Sequence, residues 1–340
     1  AAERVEGSGA KERNANLQST NRTQSRTAVS QAQERIREAI TRNGQEKLTA
    51  LLHHMTVDAL RAAFFNLKRG AAPGIDGVTW NEYADGLEDR LSDLHVRVHR
   101  GAYRALPSRR KFIPKADGRQ RPLGIAALED KIVQAALVAI LTPVYEAEFL
   151  GFSYGFRPGS SQHDARNALS YATARRKVRW ILDADIRSFF DTISHDWLIR
   201  FIEHRIGDKR VIRLIQKWLK AGVLEEGIEI ETVQGTPQGA VISPLLANIY
   251  LHYVYDLWTR QWRQRHSSGD LIVIRYADDT IVGFEHREDA EQFLNDLIIR
   301  LTQFDLSLQP AKTRLIEFGR YALDNRARRG EGKPNTFDFL

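Results

Sequence analysis

The sequence contains no cysteine. That excludes disulfides and thiolate metal sites and is compatible with a reducing, cytoplasmic setting. No apolar run approaches the roughly 20 residues a membrane-spanning helix needs, so no membrane partner is expected. The opening AAERVEGSGAKER lacks the apolar core of a secretory signal. No internal repeat is visible. Large apolar residues are nearly missing from the first 30 positions, which reads as a mobile tail.

What is present suits a packed globular chain. Hydrophobic residues make up 42 % of 340 positions, enough for two or three subdomains. Basic residues outnumber acidic ones, 50 to 43, for a net charge of +7. Their distribution matters more than the sum. Between Val96 and Arg121 there are nine Lys or Arg and one acid, Asp117, with Tyr103 and Phe112 among them. RRKVR (175–179) is a second cluster, and Arg326, Arg328, Arg329 and Lys333 form a third. Such density favours contacts with phosphates and hence with nucleic acid.

From Val29 to Leu67 apolar residues mostly recur at helical spacing (Ile36, Ile40, Leu48, Leu51, Leu52, Leu60, Phe64, Leu67). AAPGIDGVTW (71–80) then breaks the pattern as a loop. Residues 106–125 predict a β-hairpin turning at ADG, followed by a helix over about 128–144. The Gly-rich, aromatic GFSYGFRPGSS (151–161) leads into a helix over about 162–175. WILDADI (180–186) reads as a strand, and a helix follows it. GIEIETVQ (227–234) reads as a further strand. Residues 235–258 start as a Gly/Pro loop and become one long apolar helix. LIVIRYADDTIVGF alternates on both sides of ADD, a second hairpin. Residues 288–304 are helical in period, and 306–322 read as strands turning at QPAK.

Asp278 and Asp279 sit side by side in that apolar hairpin. Adjacent carboxylates among apolar residues repel one another and lose hydration, so something positive must hold them. A lysine or arginine would serve, but a divalent cation suits carboxylate oxygens better. DADIRSFFDT (183–192) supplies a second source: Asp183 and Asp185 are two steps apart on a strand and face one side. Two Mg2+ ions held by such carboxylates can activate a 3′-hydroxyl and stabilise a leaving pyrophosphate, which is nucleotidyl transfer.

Seven segments in order then resemble one family. They are PGIDGVT (73–79), IPKADGRQRPLGI (113–125), GFSYGFRPGSSQHDA (151–165), ILDADIRSFFDTISH (181–195), GTPQGAVISPLLANIYL (235–251), RYADDTIVGF (275–284) and LQPAKTRLIEFG (308–319). Over roughly residues 30–340 the chain resembles reverse transcriptases, and among them those encoded by bacterial group II introns. The resemblance implies an α+β fold, the fingers and palm of a right-hand polymerase. An antiparallel palm sheet would pack on helices behind a helical N-terminal extension. It implies a tail over 1–30, the extension and loop over 31–80, and fingers over 81–178 with a return around 198–238. The palm would take 179–197 and 239–335. Residues 336–340 would begin a linker to a thumb, or maturase domain, that the sequence does not include; DNA-binding and endonuclease segments are not seen either.

By the same resemblance Asp185, Asp278 and Asp279 are the catalytic carboxylates. With the Ile186 carbonyl they would ligate two Mg2+ ions, Mn2+ being a substitute. Phe190, five residues after Asp185, would lie against the sugar and exclude a ribose 2′-hydroxyl. Gln238 would support the incoming nucleotide, and Lys115 and Arg121 would hold its triphosphate. Arg157 would contact template or nucleotide, or serve the structure. Lys312 would be a proton donor to pyrophosphate, or an ordinary surface charge. The implied partners are an RNA template, a DNA or RNA primer, dNTPs and intron RNA. Oligomeric state is open, a dimer included. Two other readings remain: an RNA-binding splicing cofactor with an idle polymerase site, and a host-adapted reverse transcriptase in defence or repair.

Overall fold

The computed structural model describes residues 8–44, 46–114, 118, 120–225, 227–319, 322–330, 332, 336 and 339. Their strands are β1 (Ser108–Pro114), β2 (Gln120–Ile125), β3 (Trp180–Asp185), β4 (Val223–Glu225), β5 (Ile228–Ile230), β6 (Leu271–Tyr276), β7 (Asp279–Phe284) and β8 (Arg314–Glu317). Together with the helices they make the α+β fold that the sequence motifs imply. The chain divides into two compact units. One comprises Ala1–Tyr145, Glu203–Thr232 and Pro237–Ile242; the other comprises Glu146–Ile202, Val233–Thr236 and Ser243–Leu340.

The first unit opens with a helix over Ser8–Asn43. Helix thus begins about 20 residues before the apolar periodicity does and takes in most of the polar stretch read as a tail. From Ala10 to Asn43 there is no Gly or Pro, and good helix formers such as Ala, Gln, Glu and Arg abound. A helix over Val57–Asn66 follows, its N-terminus capped by the Thr56 hydroxyl, which accepts from the Ala59 amide. Helix Leu87–His99, which the sequence reading passed over, buries Leu91, Leu94 and Val98. The expected hairpin is present as β1 and β2, antiparallel from Arg109↔Ile125 to Pro114↔Gln120. The sheet order is β2-β1-β4-β5, with β4 parallel to β1 and antiparallel to β5. Helix Lys209–Lys220 was also passed over, although Val211, Ile212, Leu214, Ile215, Trp218 and Leu219 form a full buried stripe.

The second unit is built on an antiparallel sheet of order β6-β7-β3-β8. Side chains alternate across it. Ile181, Ile272, Ile274 and Ile281 form a core with Val178 and with Ala165 and Leu169 of helix Gln162–Arg175. Phe284 meets Trp262 and Phe293, the latter from helix Arg287–Thr302. The break between units lies at residue 146, so GFSYGFRPGSS and the helix after it group with β6 rather than with the β1–β2 hairpin. Backbone bonds explain this: the Tyr154 amide donates to the Arg275 carbonyl, and the Arg275 amide to that of Phe152, both at 2.8 Å. After the expected Gly/Pro loop from 235 the apolar helix starts at Ser243, and it is interrupted by a π-helical turn, His252–Asp256, before continuing over Leu257–His266.

Candidate active site

Ala184 pairs with Thr280, and Asp185 pairs with Asp279 across β3 and β7. The second carboxylate therefore comes from the neighbouring strand at the same level. The β6–β7 hairpin turns in two residues, Ala277 and Asp278, between the paired Tyr276 and Asp279. Its register puts Asp278 in the turn and Asp279 at the first strand position. Asp183 lies two positions before Asp185 and so on the same side of β3. The two sequence-distant acidic motifs thus meet at one end of one sheet.

The electrostatics reflect that crowding. Burial, then the charges of Asp278 and Asp185, push the Asp279 carboxyl up to about 6. Because Asp279 as a residue stays exposed at the strand end, we attribute more of the rise to the like charges than to burial. Lys312 answers part of the repulsion, its Nζ 2.9 Å from Asp185 Oδ2. The Asp185 carbonyl accepts from the Gln309 amide at 2.8 Å, which ties the QPAK turn to the end of β3. Ile186 is buried and bridges Leu308. Among the described residues no three His, Cys, Asp or Glu side chains close into a finished metal cage. The donors are nonetheless oxygen only and mutually repelled, which is what a hard divalent cation relieves.

Arg275 holds the turn, and the sequence reading missed it. Arg275 and Asp256 are both 0 % exposed. Nε and Nη2 donate to the two Asp256 oxygens, each at 2.7 Å. Nη2 also donates to Ser153 Oγ at 2.7 Å, and Nη1 to Asn248 Oδ1 at 3.0 Å and to the Ala277 carbonyl at 2.8 Å. The last bond matters because Ala277 has φ 56°, a left-handed conformation that costs an L-residue about 1–2 kcal/mol. Gly155 presses on the same residue: a Cβ there would lie 2.2 Å from the Ala277 nitrogen. Asn248 Nδ2 donates to the Gly155 carbonyl at 2.7 Å, closing the network. An arginine inside the apolar run LIVI-R-Y was the visible signal, since a charge is buried only with partners.

Phe190 is half-buried in the short helix Phe189–Thr192, and its carbonyl accepts from the Thr236 amide at 2.7 Å. Arg157 is committed elsewhere. Its guanidinium binds Glu146 (Nη2–Oε2, 2.8 Å) and donates to the carbonyls of Leu150 and Ser153. It stacks on Phe149 as well, so its place here is to brace the 150–157 loop. Arg121 is exposed on β2, and Gln238 is half-buried with its carbonyl accepting from the Gly124 amide at 2.6 Å. Both belong to the first unit. Lys115 lies outside the described residues.

Comparison with known proteins gives the chain's family. Protein YkfC of Escherichia coli K12 is 36 % identical over 245 residues, 63 % of this chain and 64 % of that protein. The group II intron-encoded protein LtrA of Lactococcus lactis subsp. cremoris is 37 % identical over 224 residues, 64 % of this chain and 37 % of LtrA. A 91 kDa protein in the cob intron of Schizosaccharomyces pombe is 45 % identical over 169 residues, 49 % of this chain and 21 % of that one. The matched part is thus less than two thirds of each relative's length. Residues 113–340 match the family described as reverse transcriptase (RNA-dependent DNA polymerase), a span that contains β3, β7 and every carboxylate of the site. The chain belongs to the reverse transcriptase family.

Proposed function

We propose that this chain is an RNA-directed DNA polymerase of the group II intron type, extending a primer on an RNA template with dNTPs and assisting the splicing and mobility of its intron. The first unit then corresponds to fingers with the N-terminal extension, and the second to the palm. A cytoplasmic setting fits; no helix among the described residues is long and apolar enough to cross a membrane. The observation that carries the reading is the meeting of Asp185 with Asp279, and of Asp278 in the adjoining turn, across β3 and β7. Asp185, Asp278 and Asp279, with the Ile186 carbonyl, would hold Mg2+ or Mn2+. The ions, when bound, would neutralise charge on the attacking 3′-oxygen and the leaving pyrophosphate.

The chain's own groups do the rest. Arg275 and Gly155 keep the Asp278–Asp279 turn in one conformation, so the carboxylates need no reordering when substrate arrives. Lys312, held at Asp185, would pass a proton to pyrophosphate. Phe190 would lie against the sugar of the nucleotide and reject a 2′-hydroxyl sterically. Arg121 and Lys115 would bind the triphosphate, with Gln238 supporting the nucleotide.

Primer extension on an annealed RNA template, with dNTPs and Mg2+, tests the reading. Wild type should extend, and Asp278→Ala should not, while RNA binding by the variant stays within about twofold. Equal loss of extension and binding in Asp278→Ala would make the aspartates structural and defeat the proposal.

A further inference from the structure

Phe156 combines two features that local folding does not favour. Its side chain is an apolar ring, yet the residue is 51 % exposed. Its φ is 58°, a left-handed conformation that a bulky L-residue avoids. Both flanks of that residue are anchored. On one side the Gly155 backbone lies against Tyr276 and Ala277, and its carbonyl is held by Asn248. On the other, the Arg157 guanidinium is tied to Glu146, Leu150 and Ser153. Backbone strain that the surroundings impose so fully marks a functional position.

The strain delivers the ring to a particular place. It stands edge-on to Phe190, 6.4 Å between centroids with the planes at 75°, and 6.5 Å from Tyr276, the last residue before the catalytic turn. Phe190 has Phe189 as a further aromatic neighbour, at 5.5 Å and 62°. Phe189 is itself buried against Tyr250, so that side is packed. Phe190 is therefore held between a fixed ring and Phe156.

We propose that Phe156 is a positioning residue for sugar selection: it keeps the Phe190 ring from swinging away from an incoming ribonucleotide. The proposal rests on the reading of Phe190 as the residue that meets the sugar. Steric exclusion is only as strong as the cost of displacing the excluding group. A half-buried phenylalanine with one aromatic neighbour yields more easily than one with an edge-to-face contact on each side. Removing one such contact should weaken discrimination roughly two- to tenfold.

The test is single-nucleotide insertion on an RNA template with a dNTP and the matching rNTP. Wild type, Phe156→Ala, Phe156→Tyr, Phe190→Ala and the Phe156→Ala/Phe190→Ala double variant are compared by kcat/KM for each sugar. Phe156→Ala should lower the dNTP-to-rNTP ratio two- to tenfold, mainly by improved rNTP use, and Phe156→Tyr, which keeps the ring, should preserve it. In the Phe190→Ala background, Phe156→Ala should add nothing. An unchanged ratio in Phe156→Ala while Phe190→Ala lowers it would overturn the proposal and leave the Phe190 assignment standing. Multiplying effects in the double variant would overturn it too, as would equal loss of both substrates in Phe156→Ala. No change in Phe190→Ala would instead remove the sugar-gate reading and the proposal with it.

Discussion

Removing Asp256 should cost the second unit more than any exposed charge could, and should silence the site without touching it. Asp256→Ala leaves the Arg275 guanidinium in a 0 % exposed position without its counter-ion and with two donors, Nε and Nη2, stripped of their carboxylate acceptors. His252, 3.9 Å from Asp256, offers no substitute, since burial holds its imidazole neutral with a pKa lowered to about 4. Breaking a buried pair from one side costs roughly 3–5 kcal/mol, because the surviving charge stays uncompensated. For a chain of this size that is a fall in Tm of about 4–7 °C. Urea and thermal unfolding, followed by tryptophan fluorescence, measure it. Replacing both partners by apolar residues of similar volume, Arg275→Met with Asp256→Leu, should recover most of the stability. Extension should stay low in that double variant, because the Ala277 carbonyl has lost its donor and the strained turn its brace. A loss below about 1 kcal/mol in Asp256→Ala, the range of a surface pair, would refute the reasoning. So would a double variant that extends like wild type.

Two further outcomes follow from the turn. The Asp279 carboxyl is raised to about 6, so at pH 7 the folded chain holds a repelled charge that the unfolded chain, near 3.8, carries freely. That repulsion weakens the fold above about pH 6 and fades as the folded chain takes up a proton on the way down to pH 4. Asp279→Asn should therefore melt no lower than wild type at pH 7, its advantage shrinking by pH 4.5, while wild-type extension declines as pH falls through 6. A lower Tm for Asp279→Asn at pH 7 would contradict this. Gly155→Ala places a methyl 2.2 Å from the Ala277 nitrogen and 2.9 Å from its Cα, so backbone must shift. We expect a loss of extension of about tenfold or more, with destabilisation of roughly 1–3 kcal/mol. Gly151→Ala, with nothing within 4 Å, is the control, and equal behaviour of the two variants would show that the contact is dispensable.

The amino-acid sequence determined by itself what is local. Alternation about ADD, and the ADG turn signal between its two arms, were enough to place the two hairpins, because a period of two and a turn signal are written in adjacent residues. Helix Arg287–Thr302 was legible from its apolar spacing. Helix Lys209–Lys220 was equally legible and was passed over. The acidic motifs called for a positive partner without naming it; the seven segments in family order, by their resemblance, supplied the metal chemistry.

Tertiary structure alone decided what depends on partners far along the chain. The helix from Ser8 is not among these: it rests on local backbone propensity and was missed because residues 1–30 were read by their polarity, which says whether a segment can bury a core, not whether it is helical. The π-helical turn at His252–Asp256 has no local signature, and it belongs to the stretch that brings Asp256 to Arg275. Arg157 looks like a ligand-binding arginine in its motif until Glu146 and the carbonyls of the same loop are seen to occupy it. Asp185 and Asp279 are 94 positions apart, and only strand register sets them opposite one another. Register depends on how whole faces of β3 and β7 bury together, so no pair of short motifs could have specified it.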